Sequence, residues 1–108
     1  MPMTTKRQAA VSQALERLAP LMPLEDALAI KALVARPHMR GLPAQRAVWL
    51  ATITHIRHTH SDYDALLDEG YDRDAARFFV LDEVNAVLRR WQATRFLDAD
   101  EDGVGADG

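Results

Sequence analysis

The sequence predicts an all-α protein, a compact bundle of about five helices, and three observations carry that expectation. Apolar residues recur at helical spacing, as in Val11, Ala14, Leu15 and Leu18, which are i, i+3, i+4 and i+7. Pro20, Pro23, Pro37, Gly41, Pro43 and Gly70 stand between the periodic segments, where helices stop and restart. No stretch reads as a strand, and no internal repeat is visible.

The first helix starts at about Thr5, an N-cap residue type, and ends before Pro20 and Pro23. The second covers 24–36, with Glu25 and Asp26 in its first turn, where the helix dipole favours anions. Its apolar stripe is Ala27, Ile30, Leu33 and Val34, and Pro37 ends it. The loop "RPHMRGLP" follows. The third helix covers 44–58 and places Trp49, Ile53 and Ile56 on one face. The fourth is short, over 62–70, with Ser61 or Asp62 as cap and Gly70 just past its end. The fifth covers 72–93 and buries Ala76, Val80, Val84, Val87, Leu88 and Trp91. Each helix is read as amphipathic, so the stripes must cover one another, and short loops make consecutive helices antiparallel neighbours. Residues 1–97 are read as a single helical domain and 98–108, acidic and Gly-rich, as a disordered tail.

Composition bounds the function. A chain of 108 residues supports one modest core. The absence of cysteine excludes disulfides and thiolate chemistry, so a metal site must use His and carboxylates. Neither a secretory leader nor a membrane-spanning run is found, and the expected location is cytoplasmic, with no membrane partner. Net charge is −3, but five of the sixteen acids fall in residues 98–108, leaving eleven acids against thirteen bases in the body. A slightly basic body permits a nucleic-acid partner without arguing for one. Asp98, Asp100, Asp102 and Gly103 have the spacing of a calcium loop's opening. Gly105 stands where that loop wants an apolar residue, so a solvated acidic tail is the reading taken.

The chemistry concentrates in "HTHSDYD", residues 58–64. As a string, "HTHSDY" resembles the metal-binding opening of polymerase-and-histidinol-phosphatase hydrolases. Those histidines leave a barrel strand, whereas these follow a helical pattern in a chain far short of the ~200 residues a barrel needs. A longer likeness spans 36–91. Its residues are His55, Arg57, His58, Asp62, Tyr63 and Asp64, then Leu66 and Leu67, then Ala75, Ala76 and Arg77. On these the chain resembles a family of small bacterial and fungal domains, the domain of unknown function number 2293. The resemblance implies that the polar segment belongs to the family's shared pattern. It brings no activity, substrate or cofactor.

At about 100° per residue, His55 and His58 fall side by side on the polar flank of the third helix, and Arg57 on the opposite shoulder. Four readings follow. In the plainest, the segment is a helix corner: Ser61 caps the fourth helix, Asp64 completes a capping-box-like pair, and Tyr63 packs. In the second, His55, Arg57, His58, Tyr63 and Asp64 gather with Arg36, His38 and Arg40 to recognise phosphates of nucleic acid or a nucleotide. Tyr63 or Trp49 would then stack on a base, although Asp62 and Asp64 oppose an anion. In the third, His55, His58, His60 and Asp62 hold zinc for hydrolysis, assisted by Asp64 or Tyr63. In the fourth, a His–Asp pair does metal-free acid–base chemistry, but no nucleophile elbow or Gly-rich phosphate loop accompanies it. Anion recognition leads among the functional readings. That makes the protein a binding module rather than an enzyme, with no catalytic residue assigned and no cofactor, zinc being the alternative. Phe78 and Phe79 cannot both face the core, so one of them is a candidate surface for a protein partner or a homodimer.

Overall fold

The longest apolar run of the chain becomes a helix enclosed by all the others. The computed structural model describes residues 5–101. It contains α1 (Lys6–Leu18), α2 (Leu24–Val34), a 3-10 turn (Pro37–Met39), α3 (Ala44–His60), α4 (Tyr63–Asp68) and α5 (Arg73–Arg90), with no strand among the described residues. Helices α1, α2, α4 and α5 all pack on α3. Every residue of α3 from Ala47 to Arg57 is buried. Ala47, Ala51 and Thr54 give the face away from Trp49, Ile53 and Ile56 small side chains, so neighbouring helices can approach there as well. The expectation of one apolar face and one solvated flank is therefore corrected for this stretch of α3, where Thr52, Thr54, His55 and Arg57 lie inside the protein.

The helix ends follow local chemistry. Thr5 caps α1 in a reciprocal capping box: its hydroxyl accepts from the Gln8 N–H at 3.0 Å, and the Gln8 side chain accepts from the Thr5 N–H at 2.9 Å. Asp72 caps α5 by accepting from the Ala75 N–H at 2.8 Å. Gly70 follows the C-cap of α4 with φ +104°, a conformation that favours glycine. Helix α5 ends at Arg90, three residues before the expected 93. Its C-cap is Trp91, and Gln92 turns with φ 55°. The turn is tied to the other end of the protein: the Leu21 N–H donates to the Trp91 carbonyl at 3.1 Å, and the Thr94 N–H to the Leu18 carbonyl at 2.8 Å.

At the corner after α3, the expected roles change. Ser61 serves the end of α3: its hydroxyl donates to the Arg57 carbonyl at 2.6 Å and accepts from the Tyr63 N–H at 3.2 Å. The N-cap of α4 is Asp62, whose side chain makes no capping hydrogen bond. Asp64 is turned away from the cap altogether, toward His58. Helix α3 runs two residues beyond the expected 58, so His60 is its last residue.

Two tethers hold the loops. The Arg7 guanidinium of α1 donates to the carbonyls of Leu42 at 2.8 Å and Met39 at 3.0 Å, while the Met39 side chain is buried in the core. The 3-10 turn is thus fixed from both sides. Beyond α5, the Asn85 amide pairs with the Leu97 backbone at 2.8 and 3.0 Å. Trp49 Nε1–H then donates to the Glu101 carboxylate at 2.6 Å, and Arg95 reaches the same carboxylate at 2.7 Å while its guanidinium lies 4.1 Å from the Trp49 ring centre. The chain is therefore packed as far as Glu101, past the start of the acidic tail. Residues 102–108, with Asp102 and Gly103 of the calcium-like spacing, lie outside the described residues. No described helix is long and apolar enough to cross a membrane.

This arrangement separates core from surface sharply at two aromatic or aliphatic positions. Ile56 is fully buried, whereas Phe78 is 70% exposed. Ile56→Ala is expected to lower the unfolding free energy in urea by about 2–5 kcal/mol. Phe78→Ser is expected to change it by no more than about 0.5 kcal/mol. Equal effects of the two substitutions would contradict the packing.

Candidate functional site

The buried residues of α2 are Asp26, Ile30 and Val34, spaced i, i+4, i+8 on one line of the helix. An acid therefore occupies a core register, and it points at α3. Asp26 Oδ1 lies 2.7 Å from His55 Nε2 and 2.7 Å from His60 Nε2. With the carboxylate ionised, both rings donate through Nε2–H, and in a neutral ring that leaves Nδ1 as an acceptor. That of His55 lies 3.5 Å from the Thr59 hydroxyl. The two histidines are five residues apart, about 140° around an ideal helix, so neither stacks over the other along α3. They meet because the carboxylate enters between them from α2, with ring centroids 5.7 Å apart. His60 also packs edge-on to Trp91 at 5.7 Å.

Burial pushes the Asp26 carboxyl up. The hydrogen bonds from His55 and His60 and their positive charge when protonated outweigh it, holding the group below its ordinary value. The three donor atoms all lie within 4.8 Å of one another, and among the described residues this is the one His/carboxylate cluster of that kind.

Beside the cluster lies a cleft of about 640 Å³, walled by α2, the 3-10 turn, α3 and the first residue of α5. Its floor is apolar, from Ala29, Ala32, Leu33 and Met39, and Thr54 and Thr59 add hydroxyl-bearing side chains. Its basic groups are Arg36, His38, His55, His58 and Arg73, and no carboxylate among the described residues lines it. His58 is half-exposed, with Nδ1 2.6 Å from Asp64 Oδ1 and its ring edge-on to Tyr63 at 5.2 Å.

The structure divides the sequence-derived anion set. Arg36, His55 and His58 share this cleft, with His38. Arg57 does not join them. It is buried on the other side of α3, its guanidinium 6.0 Å from the Tyr63 ring centre, and borders a second cleft with Asp74 and Arg77. Arg40 borders a third, between α1 and α2, with Lys31 and with Arg7, whose guanidinium is committed to backbone carbonyls. Tyr63 and Trp49 are both buried, so neither offers a stacking face. Asp64 stands outside the cleft as the partner of His58.

The metal set is divided too. His55 and His60 converge, but His58 faces Asp64, and Asp62 is exposed at the corner, where its N–H lies 3.4 Å from the Glu83 carboxylate. Asp26 takes the place given to those two. Its signal was present in the sequence, four residues before Ile30 and eight before Val34, in line with the apolar stripe. Arg73 was likewise absent from the sequence-derived set, since only the tertiary fold carries the start of α5 to this cleft.

The Asp26 contacts set a pH dependence. A carboxylate held lower in the folded state than unfolded stabilises the fold above its unfolded value, and that contribution disappears as pH falls through the folded one. In chelator-treated protein, Asp26→Asn is expected to cost about 1–3 kcal/mol at neutral pH. The gap to wild type should close as pH drops below the ordinary 3.8. Denaturant melts across pH measure it, and a gap that persists unchanged in strong acid would contradict it.

The model of the family described as Uncharacterized conserved protein (DUF2293) matches residues 14–92. The match spans α2, α3, α4 and α5, and with them Asp26, His55, His60 and every basic group of the cleft. No curated protein and no solved structure matches the chain. With most of its length covered, including the whole histidine segment, the chain belongs to the DUF2293 family.

Proposed function

We propose that this protein is a binding module for a small organic phosphate, held in the cleft between α2 and α3. One observation carries the reading: Arg36 and His38, His58, and Arg73 reach one cleft from three segments of the chain, and no carboxylate among the described residues lines it. Asp26 and Asp64, which would oppose an anion, are each engaged by histidine. Guanidinium groups donate in a fork that matches phosphate oxygens. The two arginines are therefore the main phosphate ligands, and the histidines add donors. The apolar floor of Ala29, Ala32, Leu33 and Met39 receives the uncharged body of the ligand. The cleft volume falls in the range typical of small-molecule sites, about 300–1,000 Å³.

A nucleotide or sugar phosphate suits this cleft better than a nucleic-acid strand. Single-strand binders track the backbone along a groove and stack bases on aromatic rings. Here the basic groups are gathered into one cleft, and Tyr63 and Trp49 are buried. No residue of the cleft is assigned a catalytic role, and the protein is read as binding its ligand without transforming it.

Calorimetric titration with pyrophosphate and with ADP tests the reading. Binding is expected to weaken with added salt. Arg36→Ala and Arg73→Ala should each reduce affinity about tenfold or more, the equivalent of one charge-assisted hydrogen bond. Arg40→Ala, in a different cleft, should leave it unchanged. Absence of binding, or equal binding by all three variants, would overturn the reading. A short single-stranded oligonucleotide binding more tightly than ADP would replace it with a nucleic-acid function.

A further inference from the structure

We propose that Asp26, His55 and His60 form a binding site for one divalent transition-metal ion, of which zinc is the type, with a fourth position left open to water or an exogenous ligand. The proposal stands on residues apart from the basic rim of the cleft. Asp26 and His60 do not line the cleft, and only His55 is shared.

The donor set is two imidazoles and one carboxylate, all of them zinc ligands, and three protein ligands with one open position is the arrangement of reactive rather than purely structural zinc. Both rings aim the same nitrogen, Nε2, at one oxygen, Asp26 Oδ1, at 2.7 Å. Ligands about 2.0–2.2 Å from a tetrahedral zinc are separated from one another by roughly 3.3–3.6 Å. The oxygen must therefore retreat from each nitrogen by less than about 1 Å, and the 4.8 Å bound on the three donor atoms already contains that geometry.

Metal binding takes the lone pair of each Nε2, so the ring proton moves to Nδ1. His55 then presents Nδ1–H toward the Thr59 hydroxyl, 3.5 Å away, the kind of outer partner that orients a ligating imidazole. The cluster is also held in place. Asp26 and His55 are buried, and the His60 ring rests against Trp91. Two neutral imidazoles and one carboxylate leave the bound ion with one net positive charge at the wall of a cleft that has no acidic lining among the described residues.

The test uses the full, untagged chain freed of metal by chelation, then titrated with zinc by calorimetry and with cobalt(II) by visible absorption. The expected result is one zinc per chain, the d–d bands of four-coordinate cobalt(II), and ring nitrogen shifts at His55 and His60 with His38 and His58 unmoved. His60→Ala, at the end of α3, and Asp26→Asn should each weaken zinc by more than about a hundredfold, beyond what loss of an outer-shell partner costs. His58→Ala and Asp64→Asn should bind as wild type. Circular dichroism establishes that each variant is folded, and His60→Ala carries the test if Asp26→Asn is not. No zinc bound by the wild-type chain would overturn the proposal, as would binding that survives His60→Ala or is lost in His58→Ala. Pyrophosphate titration of the chelated protein is separate from these readouts, so failure of the metal site and failure of the anion cleft are told apart.

Discussion

The enclosure of α3 is the constraint on which the rest depends. Where α3 is covered on all sides, from Ala47 to Arg57, it cannot leave a polar side chain to water, and an unsatisfied buried polar group costs about 1–3 kcal/mol, more when charged. Helix α3 nevertheless carries His55 and Arg57 within its buried stretch. His55 is answered by Asp26 from α2, and Arg57 has the Tyr63 ring beside its guanidinium. Both answers come from outside the helix. The polar residues of α3 therefore dictate which side chains the surrounding helices must present, and where.

This divides the molecule into two chemically different sides. On the α2 side, histidines, a single buried carboxylate and a basic cleft lie together. On the α4 and α5 side, Arg57 is buried beside the Tyr63 ring, and the Tyr63 backbone is held through Ser61 to the end of α3. The "HTHSDYD" corner serves both sides. His60 closes the cluster at Asp26, His58 and Asp64 pair at the cleft's edge, and Ser61 and Tyr63 fasten α4. Such a segment is fixed by several structural demands at once. The Arg7 clamp on the Leu42 and Met39 carbonyls does similar work for the opposite wall, fixing the turn that carries His38 and follows Arg36.

Much of the fold was legible in the sequence because its signals are local. Thr5, Asp72 and Gly70 act at the helix ends through their own hydrogen bonds or backbone angle, as their residue types predict. Periodicity alone misled at α3. Trp49, Ile53 and Ile56 define one face, but Ala47, Ala51 and Thr54 on the far face are buried because neighbours come close, which no single-helix pattern encodes. The site was legible only in part for the same reason. His55 and His60 stand out as letters, yet their meeting point is set by Asp26, 29 and 34 residues away in the chain. Arg57 reads as a surface cation until the packing of α4 over it is known. Phe78 and Phe79 are both exposed, in edge-on contact with each other and, through Phe79, with Tyr71.

The central claim is that one carboxylate oxygen gathers the two histidines through their Nε2 atoms. Long-range proton–nitrogen correlation of the imidazole rings, recorded on metal-free protein at neutral pH, tests it most directly. His55 and His60 should both carry a proton on Nε2, while His58, bound to Asp64 through Nδ1, should carry one there. A bare Nε2 on His55 or His60 under those conditions would contradict the account.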